Sequence, residues 1–290
     1  MASLKEVKIR INSVSSTRKI TSAMKLVASS KLHKAQAAIE SMRPYERQLG
    51  GMMSRFVSEV SEEIQSPYVS KRKVNKAIIV AISSNSSLCG AFNSNVIKAF
   101  NDAVATLKKE GVSDIEVIPI GVKIAEKAKK SGYAFDSNNS KMLDKPAYSE
   151  ISTIASSLMT RFENKEIDKV IIIYNHFKNT ASQVITTETL LPVDLTSVKA
   201  EESKTVKLDY IIEPSLNGLV EMLIPKVLYL KLYTAVLDSI ASEHSARVIA
   251  MQTATDNADE LLHDLTLMYN KTRQAAITAE LLDIVGGSFK

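Results

Sequence analysis

The residues whose types could support chemistry are concentrated in one polar loop, Ser83–Gly90, which directly follows the continuous apolar run Ala77–Ile82. Such a run suits a strand that is buried on both faces, and the turn after the first strand is where doubly wound sheets bind ligands. The loop holds one glycine and no lysine, so it matches neither the glycine-lysine phosphate loop nor the GxGxxG dinucleotide loop. We therefore expect no nucleotide and no other cofactor at this loop.

Thiol, imidazole and carboxylate groups form no catalytic or metal-binding pattern. Cys89 is the single cysteine, it has no histidine near it in the sequence, and a lone intracellular cysteine is usually a small buried hydrophobe. A single cysteine also excludes an internal disulfide, which suits a reducing compartment. No carboxylate pair stands out as a general acid and base. No zinc-type spacing connects the histidines, which are His33, His176, His244 and His263.

Composition favours a soluble intracellular chain with one sizeable core. The chain has 290 residues, of which 45% are hydrophobic, and its formal net charge of +5 favours acidic partners. Met1 leads straight into a charged segment without an apolar signal region, so we expect neither a secreted nor an organelle precursor. Only 6% of the residues are aromatic, which is a low share for a protein that stacks aromatic side chains on single-stranded nucleic acid. We therefore expect no nucleic-acid partner.

The middle of the chain alternates strand and helix patterns, which predicts a compact α/β domain with a mostly parallel sheet. Segments 132–146 and 192–205 are loop-like. The predicted strands are Ala77–Ile82, Ile115–Ile120, Lys169–Tyr174, an edge strand at Ser182–Leu191 and a last strand at Val206–Ile212. The predicted helices are Asn93–Lys109, Val122–Lys130 and Ala147–Phe162.

The stretch Lys226–Val285 contains no Gly and no Pro, and its apolar or small residues recur at helical spacing. At 1.5 Å per residue it would form a rod of roughly 90 Å, far longer than the helix of an ordinary domain. Charged residues such as Asp238 and Arg247 interrupt every long apolar run, so the rod is not a membrane span. No repeat period is visible either. The stretch therefore predicts one helix of a coiled coil, with its stop at Gly286-Gly287.

The partner helix is predicted at the start of the chain. Ser3 and Glu6 have the spacing of a capping box, and a heptad frame with alternating steps of three and four residues continues to about Ile64. Pro44 and Gly50-Gly51 should distort this helix locally. The inward positions of the frame are Leu4, Val7, Ile11, Val14, Arg18, Thr21, Lys25, Ala28, Leu32, Ala35, Ile39, Met42, Glu46, Leu49, Met53, Phe56 and Val60.

Polar residues at inward positions leave two interpretations open. Arg18, Thr21 and Lys25 lie close together in the frame, and an unpartnered buried lysine would be costly. Either this stretch faces a third body, or these residues set the register of an isolated coiled coil. The eight basic residues within positions 1–34 likewise fit either an acidic partner or a solvated helix face. The last helix has polar positions of its own at Thr234, His244, Thr255, Tyr269 and Thr272.

Both long helices flank the α/β domain in sequence, so we expect them to leave it side by side and antiparallel. The predicted fold class is therefore α/β, with a long antiparallel coiled coil formed by the N- and C-terminal helices and a central Rossmann-like α/β domain. The predicted domains are residues 1–66 for the N-terminal helix, 67–213 for the α/β domain and 214–290 for the C-terminal helix.

Four blocks are more specific than a generic coiled coil or α/β domain. They are Thr17–Ala28 (TRKITSAMKLVA), Ser87–Asn93 (SLCGAFN), Ala246–Ala258 (ARVIAMQTATDNA) and Tyr269–Val285 (YNKTRQAAITAELLDIV). In their order along the whole chain, these blocks resemble the gamma subunit family of F-type ATP synthases. That family usually has arginine-glycine before Leu-Cys-Gly, where this chain has Ser86-Ser87. The difference bears on any role carried by the charge of that loop.

The resemblance implies a central-stalk rotor without catalytic residues of its own. In this family an antiparallel coiled coil enters a hexamer of three alpha and three beta subunits. Rotation of the asymmetric shaft couples ion flow through the membrane c-ring to ATP synthesis or hydrolysis. The implied contacts with beta subunits are Met24, Lys25 and Arg247 near acidic loops, and Arg273, Gln274 and Thr278 in the upper catch region. The implied contacts with the membrane ring and the epsilon subunit are Tyr210 and Glu213.

The resemblance further implies a bacterial protein that is peripheral to the cytoplasmic side of the inner membrane. Plant chloroplast relatives carry an inserted cysteine pair as a redox switch, whereas Cys89 is alone here. The main alternative is a free-standing coiled-coil scaffold, which predicts a seam that is apolar throughout. A nucleic-acid-binding rod instead predicts steeply salt-dependent DNA binding. An enzyme built on the α/β domain predicts ligand binding by that domain alone.

Overall fold

The computed structural model describes residues 3–59, 66–70, 72–133, 139–194 and 215–288. The chain divides into two compact units. We call the first the helical pair; it consists of Met1–Ser30 and Arg247–Lys290. We call the second the α/β body; it consists of Lys31–Ala246.

The described elements match the predicted alternation of strands and helices. The strands are β1 (Lys76–Ile82), β2 (Asp114–Ile120), β3 (Lys169–Asn179) and β4 (Ser182–Leu191). The α-helices are α1 (Leu4–Glu59), α2 (Phe92–Lys109), α3 (Val122–Lys130), α4 (Tyr148–Glu163) and α5 (Leu216–Ser288). The predicted loop 132–146 contains a short 3-10 helix, Asn139–Leu143. Strand β3 extends beyond the predicted end at Tyr174, because it continues into a hairpin with β4.

The strands form one sheet in the order β2-β1-β3-β4. Strand β1 pairs in parallel with β2 and β3, whereas β4 pairs antiparallel with β3 at the edge. Every residue of Ala77–Ile82 in β1 is buried, as expected of a central parallel strand that is covered on both faces. The prediction of a mostly parallel sheet with an edge strand at Ser182–Leu191 is confirmed.

Alternation of side chains along β1 divides the core of the α/β body into two apolar clusters. Ile78 and Val80 belong to one cluster, together with residues of α4 and of the segments of α1 and α5 that lie in the body. Ile79 and Ala81 belong to the other cluster, to which α2 and α3 contribute. The two long helices and α4 therefore cover one face of the sheet, and α2 and α3 cover the other.

Helix α1 follows the predicted heptad frame. It continues as one helix through Pro44 and Gly50-Gly51 to Glu59, and residues 60–65, with the predicted end at Ile64, lie outside the described ranges. Glu46 is exposed rather than inward, since a charged side chain gains more from water than from the seam. The buried frame positions are Val7, Thr21, Ala28, Leu32, Ala35, Ile39, Leu49, Met53 and Phe56.

Helix α5 starts at Leu216 and contains Pro225, so it includes ten residues before the Gly- and Pro-free stretch that begins at Lys226. A proline removes a backbone hydrogen bond from a helix interior. The preceding turns remain helical because Val220 and Ile224 are 0% and 1% exposed in the core of the α/β body. Their apolar burial outweighs the lost bond.

The other end of α5 differs from the prediction. The helix ends at Ser288, so the predicted stop at Gly286-Gly287 is wrong. A glycine lowers helix propensity by about 1 kcal/mol without forcing a stop, and no proline follows here. Within the described ranges, no helix has the length and apolar character needed to cross a membrane.

Two further predictions about the fold fall on residues outside the described ranges. The strand predicted at Val206–Ile212 is one of them. The boundary between residues 213 and 214 is the other, so the division into 1–66, 67–213 and 214–290 stays a prediction.

Candidate functional site

The helical pair begins with a capping box. The backbone N–H of Ser3 donates to Glu6 Oε2 over 3.1 Å, and the Glu6 N–H donates to Ser3 Oγ over 3.3 Å. Two amides that the first helical turn would otherwise leave unbonded are satisfied in this way. The spacing of serine and glutamate in the sequence predicted this arrangement correctly.

Two polar contacts fix the register of the helical pair. The hydroxyls of Thr21 and Thr255 lie 2.9 Å apart, and the Arg18 guanidinium pairs with the Asp259 carboxylate. From the first contact to the second, α1 moves three residues toward its start, from Thr21 to Arg18. Over the same interval α5 moves four residues toward its end, from Thr255 to Asp259. The two helices are antiparallel, as predicted.

The threonine pair is satisfied within the seam. Thr21 is 9% exposed, and its Oγ1 also lies 3.0 Å from the carbonyl oxygen of Arg18. Thr255 Oγ1 lies 2.7 Å from the carbonyl oxygen of Met251, so one of the two hydroxyls donates to a carbonyl of its own helix while the other donates across the seam. Because buried hydroxyls without partners are costly, these bonds let a polar pair occupy a seam position. The seam is therefore not apolar throughout.

Arg18 and Lys25 depart from the predicted inward frame. Arg18 is exposed: 46% of its side chain remains accessible in its pair with Asp259. Its long side chain leaves the seam and reaches across the helix surface, as arginine stems commonly do. Lys25 is half-buried. The prediction that Arg18 points inward is thus wrong, because pairing with a carboxylate at the surface avoids the desolvation of a charge.

Burial ends well before α5 does. Leu265 is 6% exposed, and it is the last buried side chain of α5 within the described residues. Extending the register places Leu4, where α1 begins, near Thr272, so about four turns of α5 extend past the start of α1. Large apolar side chains are exposed along these turns, at 49% for Ile277, 57% for Leu281, 66% for Leu282 and 69% for Ile284.

Further apolar side chains are exposed beside the seam. On α1, Leu26 is 68% exposed and Ile20 is 60% exposed. On α5, Leu267 is 57% exposed and Met268 is 50% exposed. Large apolar side chains that recur along an exposed surface favour a protein interaction site. The helical pair therefore presents a surface that suits enclosure by other protein.

The predicted partner residues fall into two groups on the helical pair. Met24 and Lys25 are half-buried on α1, and Arg247 on α5 is 8% exposed. The register places Lys25 about one helical turn from the level of Arg247. The second group is exposed on the last turns of α5 and consists of Arg273, Gln274 and Thr278.

The distance between the two groups follows from helix geometry. Arg273 lies about 39 Å along α5 from Arg247, because each helical residue advances 1.5 Å. The structure therefore brings Met24, Lys25 and Arg247 together and keeps the second group apart from them. Tyr210 and Glu213, the predicted contacts with the ring and the epsilon subunit, lie outside the described residues.

The polar loop after β1 is closed by its own hydrogen bonds. The Asn93 side-chain carbonyl accepts from the Ser84 N–H over 3.1 Å, and the Asn93 amide nitrogen lies 3.2 Å from Cys89 Sγ. Cys89 is 1% exposed. These bonds use the loop's polar groups to position the start of α2, and they agree with the expectation that Cys89 is a small buried residue.

A groove of about 420 Å³ lies in the α/β body between β2 and α4. The cation that lines it, Arg161, makes two hydrogen bonds to the Glu116 carboxylate, at 3.0 and 2.6 Å. The hydrogen bonds and charge of Glu116 raise the pKa of Arg161 although burial opposes them. Within the described ranges, no group of three metal-ligating side chains could hold a metal ion.

Sequence reasoning missed a set of polar side chains that join α5 to the hairpin of β3 and β4. The hydroxyl of Ser242 donates to the backbone carbonyl of Asn175 over 3.0 Å, and that of Ser245 donates to the carbonyl of Thr180 over 2.6 Å. Their positions on α5 could have signalled this role, because small polar residues recur on a helix that is otherwise apolar toward the core.

Comparison with known proteins places the chain among ATP synthase sequences. A family model described as ATP synthase matches residues 3–289. The ATP synthase gamma chain of Phocaeicola vulgatus is 55% identical over 288 residues and is covered over 99% of each chain. That of Bacteroides thetaiotaomicron is 53% identical over 299 residues, with 100% of each chain covered.

Solved structures share the fold. A chain of the Euglena gracilis mitochondrial ATP synthase in rotational state 3 matches with a TM-score of 0.65 at 21% identity. The match covers 99% of this chain and 93% of that chain. A central-stalk chain of the Tetrahymena thermophila mitochondrial ATP synthase matches with a TM-score of 0.56 at 24% identity, over 81% of this chain and 99% of that one. At these identities the likeness shows the fold.

Proposed function

Because the chain belongs to the ATP synthase gamma chain family, we propose that it is the central-stalk rotor of an F-type ATP synthase. It serves as the shaft that couples ion flow through a membrane ring to ATP synthesis or hydrolysis in a hexamer of three alpha and three beta subunits. The alternative of a free-standing scaffold is not supported by this family membership.

The observation that carries the proposal is the exposed apolar end of α5. Ile277, Leu281 and Leu282 lie on turns that extend past the start of α1, and each is about half exposed or more. A single helix with such a surface is suited to an enclosing protein cavity rather than to water. The polar seam at Thr21 and Thr255 also fits a pair of helices that leaves part of its surface to partners.

The asymmetry of the helical pair then explains how its rotation is coupled to the nucleotide states of the beta subunits. The helical pair is asymmetric, because α5 extends past the start of α1 as a single helix, so the beta subunits around it meet different surfaces. A ligand or partner shifts a conformational equilibrium only by its difference in affinity for the states. Rotation of the shaft moves these differential contacts from one beta subunit to the next and so changes its nucleotide state.

We assign the predicted contacts to two levels of the hexamer. Met24, Lys25 and Arg247 face acidic loops of the beta subunits, where the charged side chains make charge-assisted hydrogen bonds to carboxylates. The upper level consists of Arg273, Gln274 and Thr278, whose exposure on α5 leaves them accessible to the hexamer. Arg247 is 8% exposed in the chain alone, so only a small part of it meets a partner.

The remaining assignments follow from membership of the family. The shaft has no catalytic residue of its own, and hydrolysis takes place on the subunits around it. The domain 67–213 contacts the membrane ring and the epsilon subunit, with Tyr210 and Glu213 as contact residues. The chain is then peripheral to the cytoplasmic side of a bacterial inner membrane.

Co-expression with the alpha and beta subunits of a Bacteroides relative tests the proposal. We expect a complex of three alpha subunits, three beta subunits and one copy of this chain in size-exclusion chromatography with mass measurement. Its ATP hydrolysis should exceed that of alpha and beta subunits prepared without the chain. A chain that elutes alone or as a homodimer, and leaves hydrolysis unchanged, would overturn the proposal in favour of a scaffold.

A further inference from the structure

We propose that one polar face of α5, which is hydrogen-bonded and ion-paired to the hairpin of β3 and β4, transmits torque between the sheet of the α/β body and α5. We call this set the polar belt. The inference rests on the proposed rotor function and names the residues through which rotation of the body reaches α5. The belt consists of Lys231, Asp238, Ser242 and Ser245 of α5 with Asn175, His176, Thr180, Gln183 and Glu188 of the hairpin.

The four α5 residues of the belt share one face of the helix. Lys231 and Asp238 are seven residues apart, Ser242 follows after four more, and Ser245 after three more. Steps of three, four and seven return to the same side of an α-helix. The belt extends for about 21 Å along α5, because Lys231 and Ser245 are fourteen steps of 1.5 Å apart.

At one end of the belt, the bonds are buried and end on backbone carbonyls. Ser242 and Ser245 are both 0% exposed. They donate to the carbonyls of Asn175 and Thr180, and the Gln183 side-chain amide donates to Ser245 Oγ over 3.1 Å. A carbonyl of the hairpin cannot move without its strand, so these bonds fix α5 to the sheet itself.

At the other end of the belt, charged groups make the connection. His176 Nδ1 lies 2.5 Å from Asp238 Oδ2, and the backbone N–H of Phe177 also donates to Asp238. Lys231 Nζ lies 2.7 Å from Glu188 Oε2. Each charged residue of α5 in the belt is thus matched by a group of opposite or complementary character on the hairpin.

The belt differs from the apolar packing around it because its hydrogen bonds depend on direction. Leu232 and Val236 are both 0% exposed within the core of the body. Apolar burial is non-directional, so a small rotation of the helix exchanges one apolar contact for another. Hydrogen bonds weaken steeply when their angle changes, and a buried hydroxyl that loses its partner is costly. The belt therefore resists rotation of α5 against the sheet more strongly than the core does.

The state of Asp238 agrees with a positioning role. Burial raises the pKa of this carboxyl although the charge and hydrogen bond of His176 lower it. The ionised form is therefore held in the fold at a cost, which an apolar residue of similar size would avoid. A polar residue that costs stability is better explained by its effect on the rotational position of α5 against the hairpin than by a contribution to stability.

The chain supplies a matched control for the belt serines. Ser239 is 1% exposed on the same helix, and its buried hydroxyl has no hydrogen-bond partner within the described residues. Ser239→Ala removes the same atom from a buried site without removing a belt bond. Ser242→Ala combined with Ser245→Ala removes three of the belt bonds.

The test measures the torsional stiffness of the rotor in the assembled complex. Lys129 on α3 is exposed and Cys89 is 1% exposed, so Lys129→Cys gives a thiol to which a bead can be attached. With the hexamer immobilised and ATP absent, the angular variance of the bead is inversely proportional to the stiffness. We expect the variance of the double serine variant to rise by up to about twofold, because half of the belt bonds are lost while the apolar core still contributes to the stiffness. Ser239→Ala should match the wild type.

Each outcome decides a separate claim. Equal variance in the double variant and in Ser239→Ala, with wild-type rotation intact, would overturn the belt and leave the rotor function standing. A wild-type chain that neither assembles nor stimulates hydrolysis would overturn the rotor function itself. If the double variant fails to fold, Gln183→Ala decides the matter, since it removes one half-exposed partner and should raise the variance less, yet measurably.

Discussion

The α/β body and the helical pair differ in how far each buries its own apolar side chains. In the body, Ile79 and Ile172 are 0% exposed between two layers of helices. In the helical pair, burial ends at Leu265, and Leu282 is 66% exposed. Apolar burial is the main favourable term in folding, at about 25 cal/mol per Å². The body therefore holds a core of its own, whereas the pair leaves apolar surface for other proteins to cover.

The same contrast applies to polar groups. Arg72 in the body pairs with Asp168 at 2.7 Å, donates to the carbonyl of Phe162 over 2.9 Å and lies 4.3 Å from the centre of the Phe162 ring. In the pair, Arg18 and Asp259 remain about half exposed while paired. Substitutions in the body should therefore act on the free chain, and substitutions in the pair should act mainly on assembly.

The largest effect is expected for Gly121→Ala in the body. Gly121 has a φ of +113°, and a Cβ there would lie 2.4 Å from the carbonyl oxygen of Ser83. We expect a loss of about 3 kcal/mol in the free energy of unfolding, measured by urea titration. Gly50→Ala is the control, since its Cβ meets nothing within 4 Å, and it should gain up to about 1 kcal/mol. Equal urea midpoints for Gly121→Ala and the wild type would contradict the close approach.

Next in size is Asp168→Asn, also in the body. Burial raises the pKa of Asp168, but the N–H groups of Asn75 and Lys76 and the charge of Arg72 lower it further, so the net shift is downward. The folded state then binds fewer protons than the unfolded state. The stability from this carboxylate is complete above the unfolded pKa of about 3.9 and is lost as the pH falls toward the folded pKa.

Urea titrations of both proteins at several pH values check this linkage. At pH 7 we expect Asp168→Asn to cost about 2 kcal/mol, because the Arg72 guanidinium loses its charged partner. Below pH 4 the difference between the two proteins should shrink. A difference that stays constant from pH 7 to pH 3 would show that Asp168 contributes through shape rather than through charge.

A smaller effect is expected at the seam of the helical pair. Thr21→Val removes one hydroxyl of the 2.9 Å pair and should cost about 1 kcal/mol in local stability. Combining it with Thr255→Val should restore part of the loss, because both polar partners are then replaced by apolar groups of similar shape. Hydrogen exchange of the amides in the helical pair measures the change. A double variant that loses the sum of both single losses would argue against a coupled pair.

The smallest effect on the free chain is expected at the end of α5. Leu281→Ser combined with Leu282→Ser should change the free energy of unfolding by less than about 0.5 kcal/mol, because both side chains are already exposed. The same variant should lower ATP hydrolysis and retention of the chain in the complex. Ile151→Ser is the opposite control, since Ile151 is 0% exposed and its replacement should unfold the body. Wild-type hydrolysis in the leucine variant would contradict enclosure of this end.

Most of the sheet could be predicted from sequence because its signal is local. The runs in β1 and β3 are uninterrupted and apolar, and helix α3 was predicted with the bounds that the structure gives it, Val122–Lys130. The unbroken path of α5 through Pro225 has no local signal, because a proline favours a helix end and the tertiary burial of Val220 and Ile224 overrides it. Local rules fail where a distant surface supplies the deciding free energy.

The candidate site was predictable in its pattern and less so in its geometry. The heptad frame located Thr21 at a seam position, and the structure pairs it with Thr255. The frame could not show that Arg18 leaves the seam for Asp259. A side chain of that length can reach either the seam or the surface, and the position of its charged partner decides between them. The belt at Ser242 and Ser245 was missed for a similar reason, since its partners are backbone carbonyls that carry no sequence signature.

Direct observation of rotation is the measurement that tests the account most directly. The hexamer would be immobilised, a fluorescent rod would be attached at Lys129→Cys on the α/β body, and ATP would be supplied. The account predicts rotation in one direction, at a rate that follows ATP hydrolysis and with three dwell angles set by the three beta subunits. Rods that remain stationary while the complex hydrolyses ATP would contradict it.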